Sequence, residues 1–393
     1  FNTSIFKLLW ELSLQDVRIL PVIGKRERRA FLDVPKFVMS SDPNFVAPLE
    51  MEVAQRLDAS RHPFYGNGEA AFWVALDGAG NPVGRISAQV NNVHQKRYSN
   101  SEGHFGFIIG ANDAELYKRL LVQAEDWLAS KKVVSAIGPF TLSINEESGL
   151  LVDGFNTPPM IMMGHDPTWS QEHILAAGYQ PEKDLLSYIY DPSGGSSSRL
   201  STFAKKFLSI DGAILRPFDK KKFKQDLSAI LDIFNDAWSD NWGYVPMSKG
   251  EINAFAHGLR AIADYELILI AEIAGRPVGM AVSLPNVNEA LAGLNGAKKL
   301  GILRFLWRLK VVGVKSSRVL LMGVNKGCQA DIALGPVISM ALVNALIEVH
   351  RRKGYQRMEL SWVLDTNEPM RRIAEFGGAE LYKTYRIFRK DLT

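Results

Sequence analysis

Ala79-Gly-Asn-Pro-Val-Gly84 and Ala274-Gly-Arg-Pro-Val-Gly279 differ at one position, and each lies between two apolar runs. Ala71-Phe-Trp-Val-Ala-Leu76 precedes the first, with a tight turn over Asp77 to Asn81, and Pro82 to Val90 continues it. Leu267 to Glu272 precedes the second, and Arg276 to Val282 continues it. Short apolar runs joined through Gly-containing turns read as β-hairpins. A hairpin repeated almost letter for letter is what gene duplication leaves behind.

The parallel extends outward from the hairpins. In the first half a strand over His104–Ile109 leads to a helix from Asp113 to Lys131 and a strand near Val133–Ile137. In the second, a strand over Arg318–Val324 leads to a helix from about Pro336 to Lys353 and a strand over Arg357–Val363. Each half closes with a helix ending in glycine (Gly178, Gly377), read as left-handed caps, and a short strand, Leu185–Tyr190 or Tyr385–Arg389. The predicted fold class is α/β (α+β), two mixed sheets flanked by helices. The one Gly/Ser-rich stretch, Asp191-Pro-Ser-Gly-Gly-Ser-Ser-Ser198, has a linker's composition and divides the chain into domains 1–193 and 199–393.

Over 393 residues, 47% apolar and 22% charged composition is that of a soluble globular protein. A net charge of +4 with dispersed lysines and arginines argues for no nucleic-acid partner. The single cysteine, Cys328, excludes an internal disulfide framework and a cysteine-based zinc site, so no metal is expected, and it fits a cytoplasmic location. The chain begins at Phe1, as a fragment or processed product would, and Ile5, Leu8, Leu9 and Leu12 fall at helical spacing. That stretch is too short to span a bilayer; a packed amphipathic helix, an interfacial anchor and an artefact of expression stay open.

Leu360-Ser-Trp-Val-Leu-Asp-Thr-Asn-Glu-Pro-Met370, Arg371-Arg-Ile-Ala-Glu-Phe-Gly-Gly378 and Tyr382-Lys-Thr-Tyr-Arg-Ile-Phe388 resemble the closing module of the GNAT (Gcn5-related N-acetyltransferase) superfamily. More narrowly, Gly138–Phe155, Thr157-Pro-Pro-Met-Ile-Met-Met163 and Asn241-Trp-Gly-Tyr-Val-Pro246 resemble a bacterial family of double GNAT proteins that includes bacterial ceramide synthases. The resemblance implies two GNAT-like domains in tandem and acyl transfer from acyl-CoA or an acyl carrier protein to an amine, with no tightly bound cofactor. It implies a gap between the fourth and fifth strands of a catalytic domain, where a pantetheine arm pairs with exposed backbone. Gly323 or Val324 would then stabilise the oxyanion, and Asn367 would either bond the arm or simply cap its helix.

The phosphate loop departs from the family pattern, a Gln/Arg-x-x-Gly-x-Gly/Ala run that cradles pyrophosphate with backbone amides. Here it reads Val324-Asn-Lys-Gly-Cys-Gln-Ala-Asp-Ile-Ala-Leu-Gly335: Gln329 can lead, Ala330 follows, Lys326 offers charge and Gly327 an open amide, but no glycine takes the next place before Gly335. The first half's Ile109-Gly-Ala-Asn-Asp113 has no base at all, so that half is expected to bind acceptor or serve structure. For the catalytic base the candidates are Glu359, Asp365 and His165; Glu359 could instead be a strand residue paired with Arg357 or Arg386. The family's helix tyrosine is replaced by Ala374, leaving Tyr382 or Tyr385 as the acid. Asn145, Glu146, Trp242 and Tyr244 are candidate acceptor contacts.

A long segment, Leu284 to Ser317, takes the place of a short turn. Between Glu289 and Asp331 there is no acid, whereas Lys298, Lys299, Arg304, Arg308, Lys310, Lys315, Arg318 and Lys326 are basic. Residues 298–318 read as a basic amphipathic helix for an anionic membrane surface, with a carrier-protein dock or a core-packing insert as alternatives. Hence a peripheral position on the inner membrane, a long-chain donor and a lipid amine are expected, and the resemblance to the ceramide synthase family implies an amine of sphingoid type. The competing reading is a catalytically inactive tandem module that binds acyl-CoA or membrane lipid. Nucleotide pyrophosphohydrolysis is excluded by the lack of clustered magnesium-binding carboxylates.

Overall fold

The computed structural model describes residues 16–98, 101–297 and 300–392. The helix expected at Phe1–Leu12 lies outside them, as do Lys298 and Lys299. In chain order the elements are β1 (Arg18–Pro21), α1 (Lys25–Val38), α2 (Glu50–Arg56), β2 (Gly68–Leu76), β3 (Pro82–Asn91), β4 (Glu102–Gly110), α3 (Ala114–Ser130), β5 (Ser135–Gly138), β6 (Leu150–Asp153), α4 (Ser170–Ala176) and β7 (Gln180–Tyr190). There follow α5 (Ser198–Leu208), β8 (Ala213–Pro217), α6 (Phe223–Trp238), α7 (Lys249–Ile262), β9 (Ile268–Ile273), β10 (Arg276–Pro285), α8 (Leu300–Trp307), β11 (Ser316–Val324), α9 (Leu334–Arg352), β12 (Arg357–Leu364), α10 (Glu368–Phe376) and β13 (Glu380–Asp391).

The duplicated hairpins are β2–β3 and β9–β10. Their turns differ despite the matching letters. In the first, the Asp77 carboxylate accepts the amides of Ala79 (3.0 Å) and Asn81 (2.7 Å). In the second, Ala274 and Gly275 both take positive φ (49° and 73°), as a two-residue turn matched to strand twist requires. The helix expected from Asp113 begins there, with the Asp113 carboxylate accepting the Leu116 amide at 2.7 Å. Gly178 is a left-handed cap (φ 92°), whereas at the second closing helix Gly378 (φ 88°) and not Gly377 takes that conformation.

Two compact units result. One takes the chain up to Asp184, Leu291–Leu303 and the last residues from Thr384; the other takes Leu185–Ala290 and Arg304–Lys383. The division 1–193 and 199–393 follows chain order; the compact units depart from it at their closing strands. In the first unit the sheet runs β1-β2-β3-β4-β5 and is completed by the far end of β13, with Phe388 opposite Gly138 and Asp391 opposite Ser135. In the second it runs β12-β11-β10-β9-β8 and is completed by the far part of β7, with Tyr190 opposite Met358 and Leu185 opposite Leu364. Each closing strand is thus supplied by the other half of the sequence. Backbone pairing has no sequence signature beyond alternation, so nothing local distinguishes the two candidate partners.

The first unit packs α3 against its sheet through Ile86, Phe105, Leu120 and Leu121, all fully buried, with Phe388 from β13. The second packs α5 and α9 through Phe207, Ile338, Leu342 and Met358. His350 lies in this core, bonded to Ser283 Oγ (3.1 Å) and the Leu346 carbonyl (2.7 Å).

In both units the fourth and fifth strands start parallel and then part. In the first unit β4 and β5 pair from Glu102–Ser135 to His104–Ile137, but the following chain stays in contact: the Phe140 amide bonds the Phe105 carbonyl at 2.9 Å. A Cβ on Gly106 would stand 1.7 Å from the Phe140 oxygen, so glycine is required for this closure. Gly106→Ala should therefore lower stability by about 3 kcal/mol or more, read as the urea midpoint. Burial holds the His350 imidazole at about 4, below its ordinary 6.5. The unfolded chain then binds the extra proton first, so His350 should contribute a fall in stability of about 1.4 kcal/mol per pH unit as pH drops from 6.5 towards 4. His350→Gln should lessen the slope in urea titrations by that share, His62 and His104, also held low by burial, retaining theirs.

Candidate active site

In the second unit β11 and β12 pair only from Ser316–Arg357 to Val319–Leu360. At that point the β10–β11 register slips: Val282 faces Leu321 while Ser283 faces Val319, so Leu320 is an extra residue. Such a bulge bends its strand and raises local twist. Beyond it Leu321 to Val324 remain paired to β10, from Val282 to Gly279, and among the described residues have no strand partner on the other edge. The expected gap between the strand ending at Val324 and the one running to Val363 is therefore present as a divergence of backbones. The bulge also reverses the alternation, turning Gly323 towards α6, where its added Cβ would stand 3.2 Å from Ala237.

Where the strands still touch, a buried polar cluster faces away from α9. Arg318 and Glu359 lie opposite each other in the register and are 1% and 0% exposed. Arg318 Nε donates to Ser361 Oγ at 2.7 Å and stands 3.6 Å from Glu359 Oε1. Ser361 and Tyr382 both donate their hydroxyl protons to the Glu359 carboxylate. Glu359 is thus held between a cation and two hydroxyls, and the half-buried Tyr382 is its outermost contact. The partner expected for Glu359 was Arg357 or Arg386. Arg386 instead bonds Asp184 (2.7 Å) in the first unit, and Arg318, placed opposite by the parallel register, takes the position.

The other predicted residues are dispersed. Asp365 directly follows β12, its carboxylate accepting the Thr366 amide at 2.8 Å. Asn367 caps α10 through the Met370 amide (3.2 Å), the cap alternative of its two readings. Tyr244 is buried, its hydroxyl on Asn235 (2.7 Å), beside half-buried Trp242. Tyr385 belongs to the first unit, fully buried, its hydroxyl donating to the Gly164 carbonyl at 3.2 Å; Tyr382 is the tyrosine beside Glu359. His165 is buried there too, 3.0 Å from Asp42. Asn145 donates its amide to Ser143 Oγ (3.2 Å), and Glu146 pairs with Arg56 at 2.7 Å and lies 3.7 Å from His62. Arg85 is buried against the rings of Phe31 and Phe107, donates to the Phe31 carbonyl at 3.1 Å and is held by burial at about 9. Arg56, His62, Arg85, Arg318 and Ser361 were not singled out in the sequence as site residues, since a strand arginine announces its partner only once register is known.

The residues after β11 do not fit a pyrophosphate cradle. The Lys326 amide bonds Asp236 (2.6 Å) and its ammonium bonds Ser239 (2.6 Å) and Asp240. Gln329 turns its amide onto the Val324 carbonyl. Ala330 donates its amide to the Lys326 carbonyl (2.9 Å). At the start of α9 the Asp331 carboxylate accepts the amides of Leu334 (3.0 Å) and Ala333 (2.9 Å), bonds that hold its pKa below the usual carboxylate value, and the Gly335 amide goes to the Asp331 carbonyl at 3.1 Å. The Asp331 carboxylate thus takes two of the amides at the start of α9. Burial raises the neighbouring Cys328 thiol, consistent with an inert side chain.

A bacterial ceramide synthase from Caulobacter vibrioides is 40% identical to this chain over 379 residues, spanning 96% of this chain and 98% of that one. The chain belongs to the family of that protein, the double GNAT proteins. The Escherichia coli protein YghO is 37% identical over 375 residues, 94% of each chain. A tandem GNAT protein from the clavulanic acid biosynthesis pathway shares the fold with a TM-score of 0.57 over 96% of this chain and 99% of that one, at 10% identity. A GCN5-related N-acetyltransferase from Sphaerobacter thermophilus does so with 0.54 over 96% of each, at 14% identity. No family model matches the chain. The double GNAT protein is accordingly a GNAT-type acyltransferase.

Arg318→Met should leave Glu359 as a buried charge without its cation and cost about 3–5 kcal/mol. Arg318→Met combined with Glu359→Leu should recover most of that loss in urea denaturation, because the two charges depend on each other.

Proposed function

We propose that this double GNAT protein moves an acyl group from an acyl thioester, acyl-CoA or an acylated carrier protein, to the amine of a long-chain sphingoid-type acceptor. The observation that carries the reading is the divergence of β11 from β12 immediately beyond the buried Arg318–Glu359–Ser361–Tyr382 cluster. The name of the Caulobacter relative supports the acceptor class. The edge of β11 from Leu321 to Val324 has backbone groups to pair with a pantetheine arm, which both donors share.

In the reaction the acceptor nitrogen attacks the thioester carbonyl, forming the amide N–C bond. The carbonyl oxygen becomes an oxyanion, stabilised by an amide donor near Gly323 or Val324. The C–S bond breaks and the thiolate leaves with a proton. The acceptor nitrogen gives up two protons. One leaves to solvent when the ammonium becomes the free amine; the second is lost as the amide forms, passing to Glu359 through Tyr382, with Asp365, just after β12, as the alternative base. Tyr382, recharged from Glu359, returns the proton to the thiolate. No step uses the loop after β11, where the amides of Lys326, Ala333 and Leu334 are bonded to aspartate carboxylates. In the first unit, Asn145, Glu146 and His165 are assigned to head-group recognition or structure.

Those engaged donors are the one observation favouring the second reading, a module that binds acyl thioester without turnover. Incubation of the full chain with palmitoyl-CoA or palmitoyl-carrier protein and a sphingoid amine should yield N-acyl product by mass spectrometry. Tyr382→Phe should lower kcat by about 100-fold at an unchanged urea midpoint. Glu359→Gln should lower kcat as much but also lower the urea midpoint, since it leaves the buried Arg318 without its anion. Thioester binding with no product across a wide amine panel would instead establish the inactive module.

A further inference from the structure

Helix α8 and the wider turn Arg308–Val312 that prolongs it are apolar on two sides. On the inner side Phe305 is buried, and the Arg308 guanidinium donates to the Ala290 carbonyl at 3.3 Å. On the outer side Leu306, Trp307, Val311 and Val312 are 44%, 55%, 70% and 58% exposed. A helix that only packs on a core carries polar residues outward, and contiguous exposed apolar side chains mark a binding surface.

Within the segment that carries this patch the charge has one sign. Arg304, Lys310 and Lys315 are exposed beside it, and no acid occurs between Glu289 and Asp331. Glu289 is itself engaged, its carboxylate accepting the amides of Lys315 (2.9 Å) and Ser316 (3.0 Å). Among the described residues no helix is long and apolar enough to cross a membrane. An outward apolar strip with a half-exposed tryptophan, rimmed by uncompensated bases, has the chemistry of an interfacial helix.

We propose that this face docks on an anionic lipid bilayer, with Leu306, Trp307, Val311 and Val312 entering the headgroup boundary and Arg304, Lys310 and Lys315 facing lipid phosphates. An acidic protein would satisfy the three bases, but it leaves the apolar strip between them without a purpose. Charge and apolar exposure together favour the lipid surface. The inference stands whichever amine the enzyme acylates.

The full chain, mixed with sucrose-loaded phosphatidylcholine vesicles containing about one third phosphatidylglycerol, should cosediment. It should bind pure phosphatidylcholine about tenfold less, and rising salt should weaken the anionic binding. Leu306→Glu with Val311→Glu should reduce binding about tenfold or more at an unchanged melting temperature, since both side chains point outward. Arg304→Glu with Lys310→Glu should remove the preference for anionic vesicles. Failure of the wild type to cosediment with anionic vesicles overturns the inference, as does binding indifferent to the Leu306/Val311 pair. So does charge-dependent binding to a purified acidic acyl carrier protein in the absence of any vesicle binding.

Discussion

The second unit depends on one extra residue. Leu320 has no place in the β10–β11 ladder, and the bend it forces carries β11 away from β12 after four paired residues on each strand. A sheet otherwise zips until its strands end, since every unpaired backbone group left away from water costs free energy. Keeping β11 open over Leu321–Val324 therefore needs both the bulge and a firm closure below it. Arg318, Glu359 and Ser361 provide that closure: three buried polar side chains across the last paired rungs, where a cut through the cluster would strand charge in the interior.

The first unit shows the same device turned to another end. There the register slips between Arg85 and Ser87, near Phe107, whose φ is 50°. Yet the chain after β5 continues to follow β4, because glycine at 106 and at 138 lets the two backbones approach closely. Duplication has supplied two copies of one architecture; a pair of glycines and a carbonyl fill one, and the other stays parted.

Element types were legible in the sequence because they are local. Alternating apolar runs, the Asp113 cap and the matched hairpin turns are each decided within a few residues. The likeness of residues 360–388 to the GNAT closing module carried the superfamily. What was hidden depends on residues far apart. Glu359 stood out as a strand carboxylate, but its cation is Arg318, a pairing defined only by parallel register. The loop from Lys326 to Gly335 looked incomplete for want of glycine; not visible in the sequence is that Asp236, Asp240 and Asp331 occupy several of its donors. Tyr382 and Tyr385 were equivalent on paper, and the pleat of β13 sends one towards Glu359 and the other to a carbonyl at Gly164.

The traded closing strands bear on how the molecule is made. The strand that completes the sheet of the first unit, ending at Asp391, is synthesised after strands β8 to β12 of the second unit. Helix α3 and strands β2–β4 must wait with an open edge at β5 through the synthesis of the entire second half. Completion of the first unit's sheet therefore follows synthesis of the second unit's strands, a departure from strict domain-by-domain folding. The growing chain spends that interval exposing an unpaired strand edge, the feature on which chaperones and misassembly both act.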